Sequence, residues 1–178
     1  MSVVNILDKE FEPYLAEEKI LSRINEMASE IKSLNLQSLP LFLGVLNGSF
    51  RFSSDLFSFL DFPAEIEFIK LSSYRNMNST GVVKLQSTFG IDAADREVII
   101  LEDIVDTGNT LDFLMPMVLS AKPRSIRVAT LLYKPDAYLG KHTIDFRGFE
   151  IPNDFVVGYG LDYNGLGREL NSIYKYKE

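Results

Sequence analysis

Val98 to Leu111 read VIILEDIVDTGNTL. Four apolar residues, Val98 to Leu101, have the composition of a buried strand. They run into a segment holding Glu102, Asp103 and Asp106, two hydroxyls at Thr107 and Thr110, and a glycine at 108. Three carboxylates carried to the end of a buried strand are costly to desolvate unless they meet a ligand there. Gly108 permits a tight backbone path. Thr107 and Thr110 donate hydroxyls, Asn109 adds an amide, and a helix starting at this point offers unpaired N–H groups and a positive dipole end. Together Asp106 to Thr110 make a phosphate cradle. The cradle is not a P-loop, because the chain has no G-x-x-x-x-G-K-[ST]. GYGLDYNG has the wrong spacing for a dinucleotide fingerprint, and D-x-x-D replaces the D-x-D of a phosphatase. Ionised carboxylates accept hydrogen bonds only, so Glu102 and Asp103 beside a phosphate site suit ribose hydroxyls or Mg²⁺. Asp106 can serve as a general base or acid, with a helix N-cap as its plain structural alternative. The ligand that answers this set is a phosphorylated ribose.

The flanking sequence supplies the scaffold. Ile20, Ile24, Met27, Ile31 and Leu34 recur at helical spacing within EPYLAEEKILSRINEMASEIKSL, which predicts one amphipathic helix. LPLFLGVL predicts a buried strand that turns at Asn47-Gly48-Ser49, and Phe52, Leu56 and Phe59 share a face of the helix after it. AEIEFIKLSSY, SIRVATLLYKP and DFVVGYGLDY predict further strands, and RNMNSTG a mobile loop. Leu111, Leu114, Met115 and Val118 continue the opening stretch as a helix, where Pro116 predicts a bend near Asp112 to Pro116. Apolar strands alternating with helices indicate an α/β fold with a mostly parallel central sheet flanked by helices. Ligands bind such sheets where the strands' C-terminal ends open into loops. The polar exits at Asn47-Gly48-Ser49, Asp103 to Thr110, Lys134, and Asp162 with Arg168 are expected to converge there.

Composition narrows the partners. The 178 residues are 46% hydrophobic and carry a formal charge of −7, enough for one domain with a proper core. That charge opposes a nucleic acid partner, whose binding is driven by lysine and arginine. No cysteine is present and His142 is the only histidine, which excludes thiolate chemistry and multi-histidine schemes. His142 is expected in a solvated loop. No apolar run is long enough to cross a membrane, and MSVVNILDKEFEPYL lacks the pattern of a signal peptide. A cytoplasmic location is expected.

The stretch from Val98 resembles the 5-phosphoribosyl-1-pyrophosphate (PRPP) motif of the type I phosphoribosyltransferases. KLSSYRNMNSTG is similar to the flexible catalytic loop of their hypoxanthine-guanine branch. LLYKP and GFEIPNDFVVGYGLDYN resemble that branch's purine-binding lysine and hood. The resemblance runs in collinear blocks from about Leu41 to Leu170. It implies a single domain over residues 1–178, with a small hood subdomain formed by the N-terminal segment and about 140–178.

It also implies the following roles. Asp106 is the base near purine N7, and Thr107, Gly108, Asn109 and Thr110 hold the ribose 5′-phosphate. Glu102 and Asp103 take the ribose hydroxyls and a Mg²⁺ ion, and Asp162 helps to hold a second Mg²⁺. Asn47, Gly48 and Arg168 meet pyrophosphate. Lys134 donates to the purine 6-oxo group, Phe155 stacks on the ring, and Val156 and Ile104 complete the purine pocket. Ser73 and Tyr74 close over the reaction centre. A homodimer or homotetramer is implied as well. The chain departs from the family pattern in two places. Asn47 stands where the pyrophosphate loop usually has lysine, and Leu166-Gly167 stands where an aromatic residue often precedes the arginine. The first change removes a charge and leaves more of pyrophosphate binding to Arg168 and the backbone amides.

The activity implied is purine salvage, making IMP and GMP from free bases. A regulator that keeps the fold and senses PRPP is a second reading, opposed by the negative charge and by the retention of Asp106 with Lys134. A xanthine-preferring sister transferase is a third. For Lys134 the plain alternative is a surface lysine at a strand end, and for Phe155 ordinary core packing.

Overall fold

The computed structural model describes residues 2–74, 82–85 and 92–177. Its centre is a sheet of six strands: β3 (Leu41–Leu46), β4 (Glu65–Tyr74), β5 (Val82–Leu85), β6 (Glu97–Val105), β7 (Ser125–Tyr133) and β8 (Phe146–Glu150). The spatial order is β5-β4-β3-β6-β7-β8. All neighbours are parallel except β4 and β5, which pair antiparallel at one edge. A smaller antiparallel sheet is built from β1 (Val4–Ile6), β2 (Lys9–Leu15), β9 (Val156–Val157) and β10 (Ile173–Tyr176), in the order β1-β2-β10-β9. It joins the two ends of the chain. Within the stretch from about residue 140, β8 belongs to the large sheet and the small sheet begins at Val156.

Helices α1 (Glu17–Lys32) and α2 (Phe50–Phe59) cover one face of the large sheet. Ile20, Ile24, Met27 and Ile31 are fully buried there with Phe52 and Leu56, against Phe42, Ile99 and Leu131. Helix α3 (Asn109–Ser120) covers the other face through Leu111, Leu114 and Val118, against Leu43, Val98 and Ile100. Strand β6 therefore buries alternate residues on opposite faces, which is why Val98 to Leu101 are apolar without a break.

Several expectations are corrected. Glu12 to Leu15 belong to β2 and not to the first helix. Phe11 and Leu15 point inward at strand spacing, a period that the helical pattern starting at Ile20 masks. Pro13, which has no N–H to donate, faces Tyr174 next to a register shift. Phe59 is 36% exposed and does not share the burial of Phe52 and Leu56. DFVVGYGLDY forms only the two-residue β9, because Gly158, Tyr159 and Gly160 all take left-handed φ values of 94°, 51° and 99° and turn the chain. Asp162 and Arg168 accordingly follow the small sheet, not a strand of the parallel sheet. Pro116 lies inside helix α3 without ending it, and the bend near Asp112 to Pro116 stays an expectation. His142 is half-buried, with its Nε2 3.0 Å from Asp112 Oδ1. Ser73 and Tyr74 end β4 as backbone. Their side chains and the segment RNMNSTG, residues 75–81, lie outside the described residues. No helix among the described residues is long and apolar enough to cross a membrane.

Candidate active site

A cleft of about 460 Å³ opens at the C-terminal ends of β3, β6 and β7, with the small sheet along its other wall. It is lined by Asn47, Gly48, Glu102 to Leu111, Lys134, Phe155, Val156, Asp162 and Arg168, together with Val45, Leu46, Leu71 and Leu161. Apart from Ser73 and Tyr74, every predicted site residue is brought to this one place.

Strand β6 continues through Glu102 and Asp103 to Val105, so its ladder holds both acids rigidly. Glu102 is 4% exposed and its Oε1 has no hydrogen-bond partner. Burial, reinforced by the neighbouring Asp103 charge, holds its carboxyl well above the usual range. Burial likewise raises Asp103 from an ordinary 3.8 to about 6, against the lowering effect of backbone N–H groups and Arg168. A carboxyl raised on folding binds its proton more tightly in the native state, so its contribution weakens stability as pH rises from about 4 through about 6. Asp103→Asn is therefore expected to melt roughly 3 °C above the unliganded parent at neutral pH. The gap should close only as the pH falls to about 4. Calorimetry at the two pH values checks this, and a gap that does not vary with pH refutes it.

The turn after β3 packs against Asp103. The Leu46–Asn47 peptide is cis, and a Cβ at Gly48 would fall 1.6 Å from Asp103 Oδ2 and 2.3 Å from its Cγ. No side chain fits between this turn and the carboxylate. Gly48→Ala must displace one of them, and for the PRPP-dependent activity that the sequence resemblance implies, a shift of this order is expected to lower kcat/KM about 100-fold. Steady-state rates on the folded variant, judged by circular dichroism, test this, and a change under about three-fold is incompatible with it.

Beyond Val105 the chain leaves the sheet. Asp106 is half-exposed, Thr107 and Asn109 are exposed, and Gly108 takes φ 94° at the N-cap of α3. The cap position belongs to Gly108, so Asp106 is free of the capping role. No side chain caps the helix, and its first N–H groups face the cleft end as an anion site. The loop is braced from behind. Leu139 N–H donates to the Thr107 carbonyl at 3.1 Å, and the Tyr138 ring lies where a Cβ on Gly108 would be 2.7 Å from it. Tyr138 in turn donates its hydroxyl to the His142 carbonyl at 2.7 Å. Nothing in the sequence pattern points to this brace.

Lys134, at the end of β7, is 6% exposed, which excludes the surface-lysine reading. Its Nζ donates to Asp106 Oδ2 at 3.1 Å and to Asn153 Oδ1 at 3.4 Å. Asn153 was not among the predicted residues. It precedes Phe155 in the same loop and supplies a neutral acceptor to a buried charge. Phe155 is 44% exposed, so it is not core. Its ring stands 6.1 Å from Phe11 and 5.8 Å, edge to face, from Tyr163, with one surface open to the cleft. Val156 is buried beside it and Ile104 half-buried.

Arg168 donates from Nη2 to Asp162 Oδ1 and from Nη1 to the Gly160 carbonyl, both at 2.6 Å. Asp162 Oδ2 also accepts the Gly165 N–H at 2.6 Å. Among the described residues no three acidic or histidine side chains gather as a metal cage. Glu102, Asp103 and Asp162 do not close around one ion. Such a set suits a Mg²⁺ that takes one or two carboxylates and completes its shell with water and substrate oxygens. The unpartnered Glu102 Oε1 and the raised carboxyl of Asp103 fit a cation or sugar hydroxyls arriving with the ligand.

Acids for a diol, a helix N-terminus for a phosphate, a buried donor and an open aromatic face thus share one cleft. Comparison with known proteins agrees with that arrangement. The phosphoribosyl transferase domain model matches residues 11–164. The hypoxanthine-guanine phosphoribosyltransferase of Bacillus subtilis is 39% identical, over 89% of both chains. A hypoxanthine phosphoribosyltransferase structure from Staphylococcus aureus superposes with a TM-score of 0.87 at 35% identity, covering 93% of this chain and 91% of that one. The Trypanosoma cruzi hypoxanthine phosphoribosyltransferase in complex with IMP gives 0.85 at 34% identity, over 98% and 97%. On its fold, its cleft and these relatives, the chain belongs to the phosphoribosyltransferases, in their hypoxanthine-guanine branch.

Proposed function

We propose that this cleft transfers the 5-phosphoribosyl group of PRPP to N9 of hypoxanthine or guanine, forming IMP or GMP and releasing pyrophosphate. The observation that carries the reading is the Asp106–Lys134 pair, placed between the N-terminus of α3 and the open face of Phe155. In that position the helix N-terminus and Thr107 to Thr110 take the 5′-phosphate, and the base lies on Phe155 with its 6-oxo group toward Lys134. Asp106 accepts the N7 proton as N9 attacks C1 of the ribose. Glu102 and Asp103 hold the ribose hydroxyls. Arg168 and the backbone of Asn47 and Gly48 receive the departing pyrophosphate, whose growing charge they stabilise in the transition state. Glu102 and Asp103 would hold one Mg²⁺ and Asp162 would help to hold a second, and these ions would supply charge neutralisation for the same leaving group. Ser73 and Tyr74 belong to the reading as residues that close the cleft against water, which competes with the base for the sugar.

Lys134 has donors only, and a 6-amino group accepts such a bond poorly, so 6-oxopurines are favoured over adenine. The rest of the reading is one domain with the small sheet as its hood, a cytoplasmic setting among its phosphorylated substrates, and a homodimer or homotetramer. Sedimentation of the purified protein measures the last of these.

The test is direct. The protein is incubated with PRPP, Mg²⁺ and, separately, hypoxanthine, guanine, xanthine and adenine, and nucleotide formation is followed by absorbance. IMP and GMP should form rapidly and AMP hardly at all. Faster XMP formation would make the chain a xanthine transferase. PRPP binding without reaction of any base would bring back the regulator, a reading the named relatives do not favour.

A further inference from the structure

Three residues outside the cleft tie its pyrophosphate end to α2. Arg51 and Asp55 stand one turn apart on that helix, just after the Asn47-Gly48 turn. Arg51 Nη1 donates to the carbonyls of Leu170 at 3.0 Å and Glu169 at 3.3 Å, and to Asn171 Oδ1 at 3.1 Å. Its guanidinium carbon lies 4.7 Å from the centroid of the Tyr159 ring, a cation–π contact. Tyr159 is fully buried and donates its hydroxyl to Asp55 Oδ2. Its N–H donates to the Leu170 carbonyl at 2.8 Å, so Arg51 and Tyr159 share one acceptor. Tyr159 is also an aromatic residue held at φ 51°, a conformation that persists only where its surroundings impose it.

The residue so clamped immediately precedes Gly160. A Cβ on Gly160 would meet the Gly48 carbonyl at 2.2 Å, and the Gly160 carbonyl accepts Arg168 Nη1 at 2.6 Å. The chain of contacts therefore runs from α2 through Tyr159 and Gly160 to Arg168, and Gly160 rests directly on the Gly48 turn. Arg168 matters more here because position 47 is asparagine. Among the described residues lining the cleft the cations are Lys134, paired with Asp106 at the base end, and Arg168.

We propose that Arg51, Asp55 and Tyr159 form a clamp that positions Arg168 against the Gly48 turn, and thereby sets how tightly the cleft holds pyrophosphate. The proposal rests on the pyrophosphate role given to Arg168 above. The clamp residues touch no substrate and act through Arg168 alone.

The reverse reaction, with IMP and pyrophosphate as substrates, isolates the effect. Tyr159→Phe keeps the ring under Arg51 and removes only the hydroxyl. It should raise KM for pyrophosphate about five-fold, the worth of one hydrogen bond. KM for IMP should stay within about two-fold, since a general loosening would move both constants. In an Arg168→Met background the same change should add almost nothing, because both act on one interaction. Arg51→Lys, which removes the planar fork, gives the same split if Tyr159→Phe does not fold. If Arg168→Met itself leaves KM for pyrophosphate unchanged, the role of Arg168 fails and the clamp falls with it. If Arg168→Met raises that KM while the clamp variants leave it unchanged or raise both constants alike, the clamp alone is overturned.

Discussion

Asp106→Asn is expected to lower kcat for IMP formation by about 100-fold or more, the usual worth of a positioned general base. The substitution preserves size and the acceptor oxygen. It removes the capacity to take the N7 proton, and it replaces the negative partner of the Lys134 ammonium, 3.1 Å away, with a neutral amide. KM for PRPP should change far less, because Asp106 stands before the helix N-terminus and not on it. Thermal stability should be nearly unaffected, since the side chain is 45% exposed. Initial rates at saturating PRPP and Mg²⁺ settle it. A kcat within about three-fold of the parent would remove Asp106 from the chemistry and leave it as the counter-charge of Lys134.

The sequence carried the parallel half of this molecule more clearly than the antiparallel half, for a physical reason. Strands β3, β6 and β7 are covered on both faces, so their residues must be apolar in unbroken runs that stand out from the helices between them. The small sheet has no such runs. Strand β2 carries Pro13 and four charged or aromatic residues with only Phe11 and Leu15 inward, β9 has two residues, and β10 buries only Ile173 and Tyr174. Strands β2 and β10 pair between residues more than 150 apart in sequence, such as Phe11 with Tyr176, and β9 pairs only with β10, so no local pattern announces these partners. The site divides the same way. Glu102 to Thr110 are contiguous, so their chemistry could be read from one stretch. Asn153, Tyr138 and the Arg51–Tyr159–Asp55 group contribute through tertiary contacts, and alone each has the look of an ordinary polar residue. Lys134 lies between these cases. Its place at the end of a predicted strand was legible, but its burial was not, and burial is what separates a recognition residue from a surface lysine.

Lys134→Met carries the second large effect, on specificity. The parent holds an ammonium at 6% exposure with two acceptors, Asp106 and Asn153, and has one donor left for a ligand oxygen. A charge-assisted bond made in a site screened from water is worth more than the same bond at the surface. Its loss should lower kcat/KM for hypoxanthine and guanine about 100-fold, near the upper range for hydrogen bonds to charged groups. Adenine behaves differently. On the proposed function its 6-amino group cannot accept from the ammonium, and the parent should reject adenine because a buried donor would be left unpaired. Methionine removes that donor, so the adenine rate should hold or rise, and the ratio of hypoxanthine to adenine should collapse toward unity. The comparison of the two bases within one variant is what isolates recognition, because a misfolded or loosened cleft would depress both together. Loss of both rates in equal proportion would assign Lys134 to holding Asp106 in place, and the preference for a 6-oxo group would then have to come from the backbone around Val156.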